Sequence, residues 1–175
     1  MNVQNIKSVP PHIDNFIQGN LTKLNEIYDE GIKLFGDGIM SFVKFASKGN
    51  SIRFGDLTFG RRDYGGGGNS VRGLYCGGAP GPNTTMIEYI TIASEGNGTV
   101  FGDLTVSSRS TNCCDSQTRT VIIGRSGPLN TIDFVTIATT GNAVDFGDDI
   151  LAILNVGGSS DSHGGLGGFL HGNST

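Results

Sequence analysis

Residues 96–105 read GNGTVFGDLT, and the chain carries the phrase three times: GNSIRFGDLT stands at 49–58 and GNAVDFGDDI at 141–150. The copies start 47 and 45 residues apart, a spacing that belongs to tandem supersecondary units. The match continues outward from the phrase. MSFVKFAS (40–47), IEYITIAS (87–94) and IDFVTIAT (132–139) precede the three Gly-Asn pairs at one fixed distance. A second block repeats as well, RGLYCGG at 72–78 matching RTVIIGR at 119–125, again 47 residues on.

Each unit therefore reads as several short strands. Residues 87–93 are β-branched and aromatic with both faces apolar, Tyr89 on one and Ile90 and Ile92 on the other, the pattern of a strand held between two layers. The Gly-Asn that follows predicts a hairpin turn, because both residues tolerate positive φ, leading into strands over 99–101 and 143–146. In this reading Phe54, Phe101 and Phe146 anchor the core at the end of that strand. The next glycine lets the backbone bend, and Asp56, Asp103 and Asp148 fold back onto the amides of the turn. Nothing in the phrase is reactive, so its expected role is architectural.

The bulk composition narrows the function classes. At 175 residues the chain fits one ordinary domain or a few copies of a small unit. Twelve basic and sixteen acidic side chains leave a net charge of −4, and Arg61-Arg62 is the only basic pair, so no electrostatic footprint for nucleic acid is expected. Glycine occurs 29 times, far above the usual share of about 7%. It clusters in DYGGGGNS, CGGAPGP, NVGGSS and HGGLGGFLHGN, which read as turns and loops between short elements. Cys76, Cys113 and Cys114 form neither a C-x-x-C pair nor an even framework, so free thiols in a reducing cytosol are expected. No signal peptide and no apolar run of membrane-spanning length is read. The four N-x-S/T sequons, at Asn20, Asn83, Asn97 and Asn173, carry little weight without a secretion route.

The order Arg62, RGLYCGG, IEYITIA, Phe101-Gly-Asp-Leu, Arg109 resembles the unit of kelch-type β-propellers, with Phe where that family usually has Trp and with the double glycine broken to Gly124-Arg125 in the next copy. TIDFVTIATTGNAVDFGD is similar to the units of a degenerate group of viral repeat proteins from marine bacteriophages and large algal viruses. The resemblance covers roughly residues 39–172 and implies an all-β fold, a partial kelch-like propeller of about three blade equivalents.

The units arrive in an unfinished order. The repeat domain, 39–175, opens with a half unit (39–57), continues with units over about 62–104 and 109–149, and closes with a degenerate half unit (151–172). Propellers commonly need at least four blades, so the chain is expected to be completed by another chain, a head-to-tail pair giving about six blades. Residues 1–38 read as an N-terminal helical arm. Phe16, Ile17, Leu24, Ile27, Tyr28 and Phe35 recur at three- and four-residue steps and form a candidate partner interface, whose alternative is packing on the chain's own sheets.

Catalytic chemistry finds little support in the residues. His12, His163 and His171 are the only histidines, and none sits in a nucleophile frame. Cys113-Cys114 beside Asp115 falls where a unit's first strand is expected. YGGGGNS and GGLGGF lack the Lys-Ser/Thr of a phosphate cradle, and the repeated aspartates are too far apart in sequence to converge on one calcium ion. No catalytic residue, cofactor or metal is assigned. The resemblance implies a non-enzymatic structural component of a virus particle, a minor capsid or tail protein assembled in the host cytoplasm. Its partners are then other virion proteins and further copies of itself, with no nucleic acid and no membrane. The alternative is a receptor- or glycan-binding propeller module acting through its glycine-rich loops.

Overall fold

The computed structural model describes residues 38–79, 82–124, 130–151, 156–161 and 167–171. The arm expected over 1–38, with its stripe of Phe16, Ile17, Leu24, Ile27, Tyr28 and Phe35, and the histidines His12 and His163 lie outside them. Every regular element among the described residues is a β-strand, and the fold is all-β.

The strands group as two, four, four and two, all antiparallel and none of the sheets closed. β1 (Ile39–Phe42) and β2 (Ile52–Asp56) form a first hairpin. β3 (Gly65–Gly68), β4 (Arg72–Cys76), β5 (Thr84–Thr91) and β6 (Thr99–Ser108) follow as a meander in chain order. β7 (Asn112–Asp115), β8 (Arg119–Ile123), β9 (Thr131–Thr136) and β10 (Val144–Asp148) repeat that meander. β11 (Val156–Ser160) and β12 (Gly167–His171) make a last hairpin. By repeat phase the first hairpin corresponds to the third and fourth strands of a full sheet, and the last hairpin to the first and second.

The repeated phrase carries the same defect three times. Met40 pairs with Gly55 and Ser41 with Arg53; Ile87 pairs with Gly102 and Glu88 with Val100; Ile132 pairs with Gly147 and Asp133 with Asp145. In each case the phenylalanine between is the extra residue of a β-bulge, which bends its strand and re-aims its side chain. Each ring then meets an aromatic of the neighbouring strand edge-on, Phe54 with Phe42, Phe101 with Tyr89 and Phe146 with Phe134, with centroids 6.0 Å apart in all three. An edge-to-face pair adds about 0.5–1.5 kcal/mol beyond the area it buries.

The main core lies between the two full sheets. Leu74, Cys76, Ile87 and Phe101 from the first meet Cys113, Ile122, Val135, Ile137 and Ala143 from the second. A smaller cluster, Met40, Leu57 and Ile90 with Phe54 and Tyr75, joins the first hairpin to the first full sheet. Fully burying a side chain such as Leu74 or Ile87 contributes about 1.5–3 kcal/mol.

Three glycine-rich segments read as turns or loops from sequence are strands: YGGGGNS supplies β3, NVGGSS supplies β11, and GGLGGF supplies the start of β12. The physical reason is close stacking of first strands. A Cβ on Gly67 would stand 2.6 Å from the Asp115 carboxylate, and one on Gly158 would stand 2.5 Å from the Cys113 carbonyl oxygen. β3 therefore lies on β7, and β11 lies on β7 from the other side, at a separation that side chains would forbid. Glycine weakens a strand through its entropy, but here it permits the backbone approach.

Candidate functional site

The turn expected at Gly-Asn lies earlier in the chain. Ser47, Ser94 and Thr139 close it by donating their amides to the carbonyls of Lys44, Thr91 and Thr136, at 3.2, 3.3 and 3.2 Å. This leaves Gly-Asn free to serve the neighbouring sheet. The Gly96 amide donates to the Phe54 carbonyl at 3.0 Å, and the Gly98 amide to the Asp56 carbonyl at 2.8 Å. The Asp56 amide donates to Asn97 Oδ1 at 3.1 Å. One period later Gly141 donates to Phe101 at 2.9 Å, Ala143 to Asp103 at 2.8 Å, and the Asp103 amide to Asn142 Oδ1 at 3.1 Å. Gly-Asn of one unit thus latches onto Phe-Gly-Asp of the unit before it.

The latch explains the central glycine better than bending does. A Cβ at Gly55 would sit 2.1 Å from the Gly96 carbonyl oxygen, and one at Gly102 would sit 2.1 Å from that of Gly141. No larger residue fits beneath the incoming backbone. Asp56 and Asp103 also act otherwise than expected, because their main chains hold the latch while their side chains bind within their own sheet. Asp56 pairs with Arg53, and Asp103 Oδ1 accepts from the Thr85 hydroxyl at 2.7 Å.

Three further contacts between sheets were missed in the sequence. Glu88 and Asp133, at one repeat position, are buried and reach back to the preceding unit: Glu88 Oε1 accepts the Thr58 amide at 2.8 Å, while Asp133 accepts the amide and hydroxyl of Thr105 at 2.9 and 2.7 Å. An acidic residue recurring inside an apolar strand was the available signal. Arg61 pairs with Glu88 at 2.9 Å with both side chains fully enclosed, and also donates to the Tyr75 carbonyl at 3.1 Å. Burial pulls the Arg61 guanidinium below its ordinary pKa, and the Glu88 charge opposes that. The Thr111 hydroxyl, just before β7, joins the preceding sheet, accepting from the Gly65 amide of β3 and donating to the Cys76 carbonyl of β4.

The cysteines lie inside this stack. All three are free and buried. A hydrogen bond with Cys76 and burial push the Cys113 thiol well up, and burial pushes Cys114 up. Cys114 Sγ donates to the carbonyls of Ser159 and Gly168, each 3.2 Å away. Raised thiols are held protonated, the opposite of what a nucleophile requires. Among the described residues no cluster of three or more His, Cys, Asp or Glu could hold a metal, and no helix is long and apolar enough to cross a membrane.

The stack is unequal at its far side. Phe101 is 4% exposed, Phe54 is half-buried, and Phe146 is 55% exposed. Beside Phe146 an open groove of about 440 Å³ is lined by Arg119, Val121, Ile132, Phe146, Ser160 and Phe169. By repeat position Val121, Ile132 and Phe146 match Leu74, Ile87 and Phe101, which the second full sheet buries. Arg119 lies over the Phe134 ring as Arg72 lies over Tyr89. Arg72, however, also donates to the Ile137 carbonyl of the next sheet at 2.8 Å. At Phe146–Gly147–Asp148 no Gly-Asn pair is seated among the described residues, and a Cβ on Gly147 would have nothing within 4 Å. Among the described residues the last hairpin has two strands, where the sheet that covers Leu74, Ile87 and Phe101 has four. No protein-family model matches the chain, and no curated protein sequence matches it.

Proposed function

We propose that this chain is a non-enzymatic structural component of a virus particle, a partial kelch-like β-propeller that acts by joining its unfinished sheets to other subunits. One observation carries the reading: among the described residues two four-stranded sheets are flanked by two hairpins, the first matching the last two strands of a full sheet and the second matching the first two. Among the described residues β1 pairs with β2 alone and β12 with β11 alone, and such edges invite pairing with a further chain. The groove beside Phe146 and the exposed side chains of the first hairpin supply apolar surface for the same contact. The raised thiols of Cys113 and Cys114 and the use of Arg61, Glu88, Thr111 and Asp133 in contacts between sheets support a role without chemistry. The viral assignment rests on the likeness of the repeated phrase to viral units.

Two measurements test it. Light scattering on the purified chain is expected to give a mass above that of one chain, and a monodisperse monomer at micromolar concentration argues against assembly through its own edges. Mass spectrometry of purified particles is expected to find the polypeptide in stoichiometric amounts. Its absence there removes the viral assignment.

A further inference from the structure

We infer that the groove beside Phe146 receives the β1–β2 hairpin of a second copy of this chain, with Gly49–Asn50 of that copy latched onto Phe146–Gly147–Asp148. The seam deepens the structural role proposed above and rests on it. Its template is printed twice inside the chain, where Gly96–Asn97 sits on Phe54–Gly55–Asp56 and Gly141–Asn142 sits on Phe101–Gly102–Asp103 with matching bonds. Among the described residues the third Phe-Gly-Asp has no such cover, and no unit precedes the first Gly-Asn.

The apolar residues match in the same phase. Val135 and Ile137 of the second full sheet help to bury Leu74, Ile87 and Phe101. Val43 and Phe45 hold those repeat positions in the first hairpin, and Phe45 is 103% exposed. Placed on the groove as Val135 and Ile137 are placed on the first full sheet, they cover Val121, Ile132 and Phe146. The Phe45 carbonyl then takes the place of the Ile137 carbonyl that Arg72 holds, and Arg119 is its donor. β1 of the incoming copy runs beside β12, giving the strand order β11, β12, β1, β2 that reproduces β3 to β6. Two such seams join two copies into a closed ring of about six sheets, within the usual range for propellers.

The experiment has two arms. Sedimentation velocity compares the full-length chain with Phe45→Ser, a side chain so exposed that the isolated fold does not need it, checked by unchanged thermal unfolding under conditions where both are monomeric. Self-association is expected to weaken roughly tenfold or more, as for a buried aromatic anchor. The second arm places a photo-crosslinking phenylalanine at position 45 in a mixture of isotopically heavy and light chains. Heavy-to-light crosslinks from position 45 into residues 119–148 support the seam. Crosslinks confined to one chain overturn it, as does an association that Phe45→Ser leaves undiminished. In that last case self-assembly stands and only the seam falls, whereas a wild-type chain that never associates overturns the seam together with assembly through the chain's own edges. Occupation of the latch by Gly172–Asn173 of the same chain would leave Gly49–Asn50 without this partner and also overturns the seam.

Discussion

Leu74, Ile87 and Phe101 on the first full sheet and Val121, Ile132 and Phe146 on the second stand at equivalent repeat positions, yet only the first three are buried. The sequences differ little between the sites. What differs is the neighbour: a complete sheet covers the first set, and half a sheet flanks the second. Burial in a stacked architecture is therefore a property of the seam and not of the unit, as expected where each repeat contacts only those beside it.

Substitutions at matched positions sharpen that comparison. The largest effect is expected from Glu88→Ala, which leaves Arg61 charged and enclosed without its partner. Chemical denaturation should show a loss of about 3–5 kcal/mol, and a loss under 1 kcal/mol would mean that the pair is not closed in solution. Gly102→Ala comes next. Its methyl would meet the Gly141 carbonyl, and a cost of about 3 kcal/mol is expected from forcing the two sheets apart. Gly49→Ala, with open space around it, should change the stability of the isolated chain by less than about 0.5 kcal/mol.

A smaller contrast is expected between Ile87→Ala and Ile132→Ala. The first creates a cavity in the main core and should cost about 2–5 kcal/mol. The second, half-buried at the open groove, should cost clearly less in the monomer, and equal losses would break the distinction between covered and uncovered seams. Asn142→Ala removes one latch bond to the Asp103 amide, worth about 1 kcal/mol, whereas Asn50→Ala should leave monomer stability alone.

The gentlest test uses pH and thiol labelling. Because the Cys113 pKa is raised by its bond with Cys76 and by burial, the folded chain keeps a proton that the unfolded chain loses. That contribution to stability is fully present below the ordinary thiol pKa of about 8.5, and it is lost as pH rises through the raised value. Alkaline unfolding should be blunted in Cys113→Ala. A thiol reagent at neutral pH should label the folded chain far more slowly than the denatured one, and equal rates would contradict the enclosure of the three cysteines.

The repeated phrase made the strands legible. Its three copies fall on β2, β6 and β10, and the flanking apolar runs fall on β1, β5 and β9, because hydrophobic patterning and period are properties of a single unit. The partner of Gly-Asn was not legible in the same way. A turn reading is local, while Gly96 and Phe54 meet across 42 residues, and no pattern within one unit distinguishes a glycine that turns from one that is covered. The glycine strands failed for a related cause. In β3 the neighbouring strands leave no room for side chains at Gly65 and Gly67, and composition alone reports only that side chains are missing. Buried Glu88 and Asp133 were hidden by the usual expectation that carboxylates face water.

Because each latch is made of main-chain groups, a glycine and one asparagine, it does not record which unit it belongs to. Duplicating or deleting one period of the gene would lengthen or shorten the stack by one sheet and leave the chemistry of each latch as it was. The number of stacked sheets in such a chain can then change by whole periods without redesign of the latch.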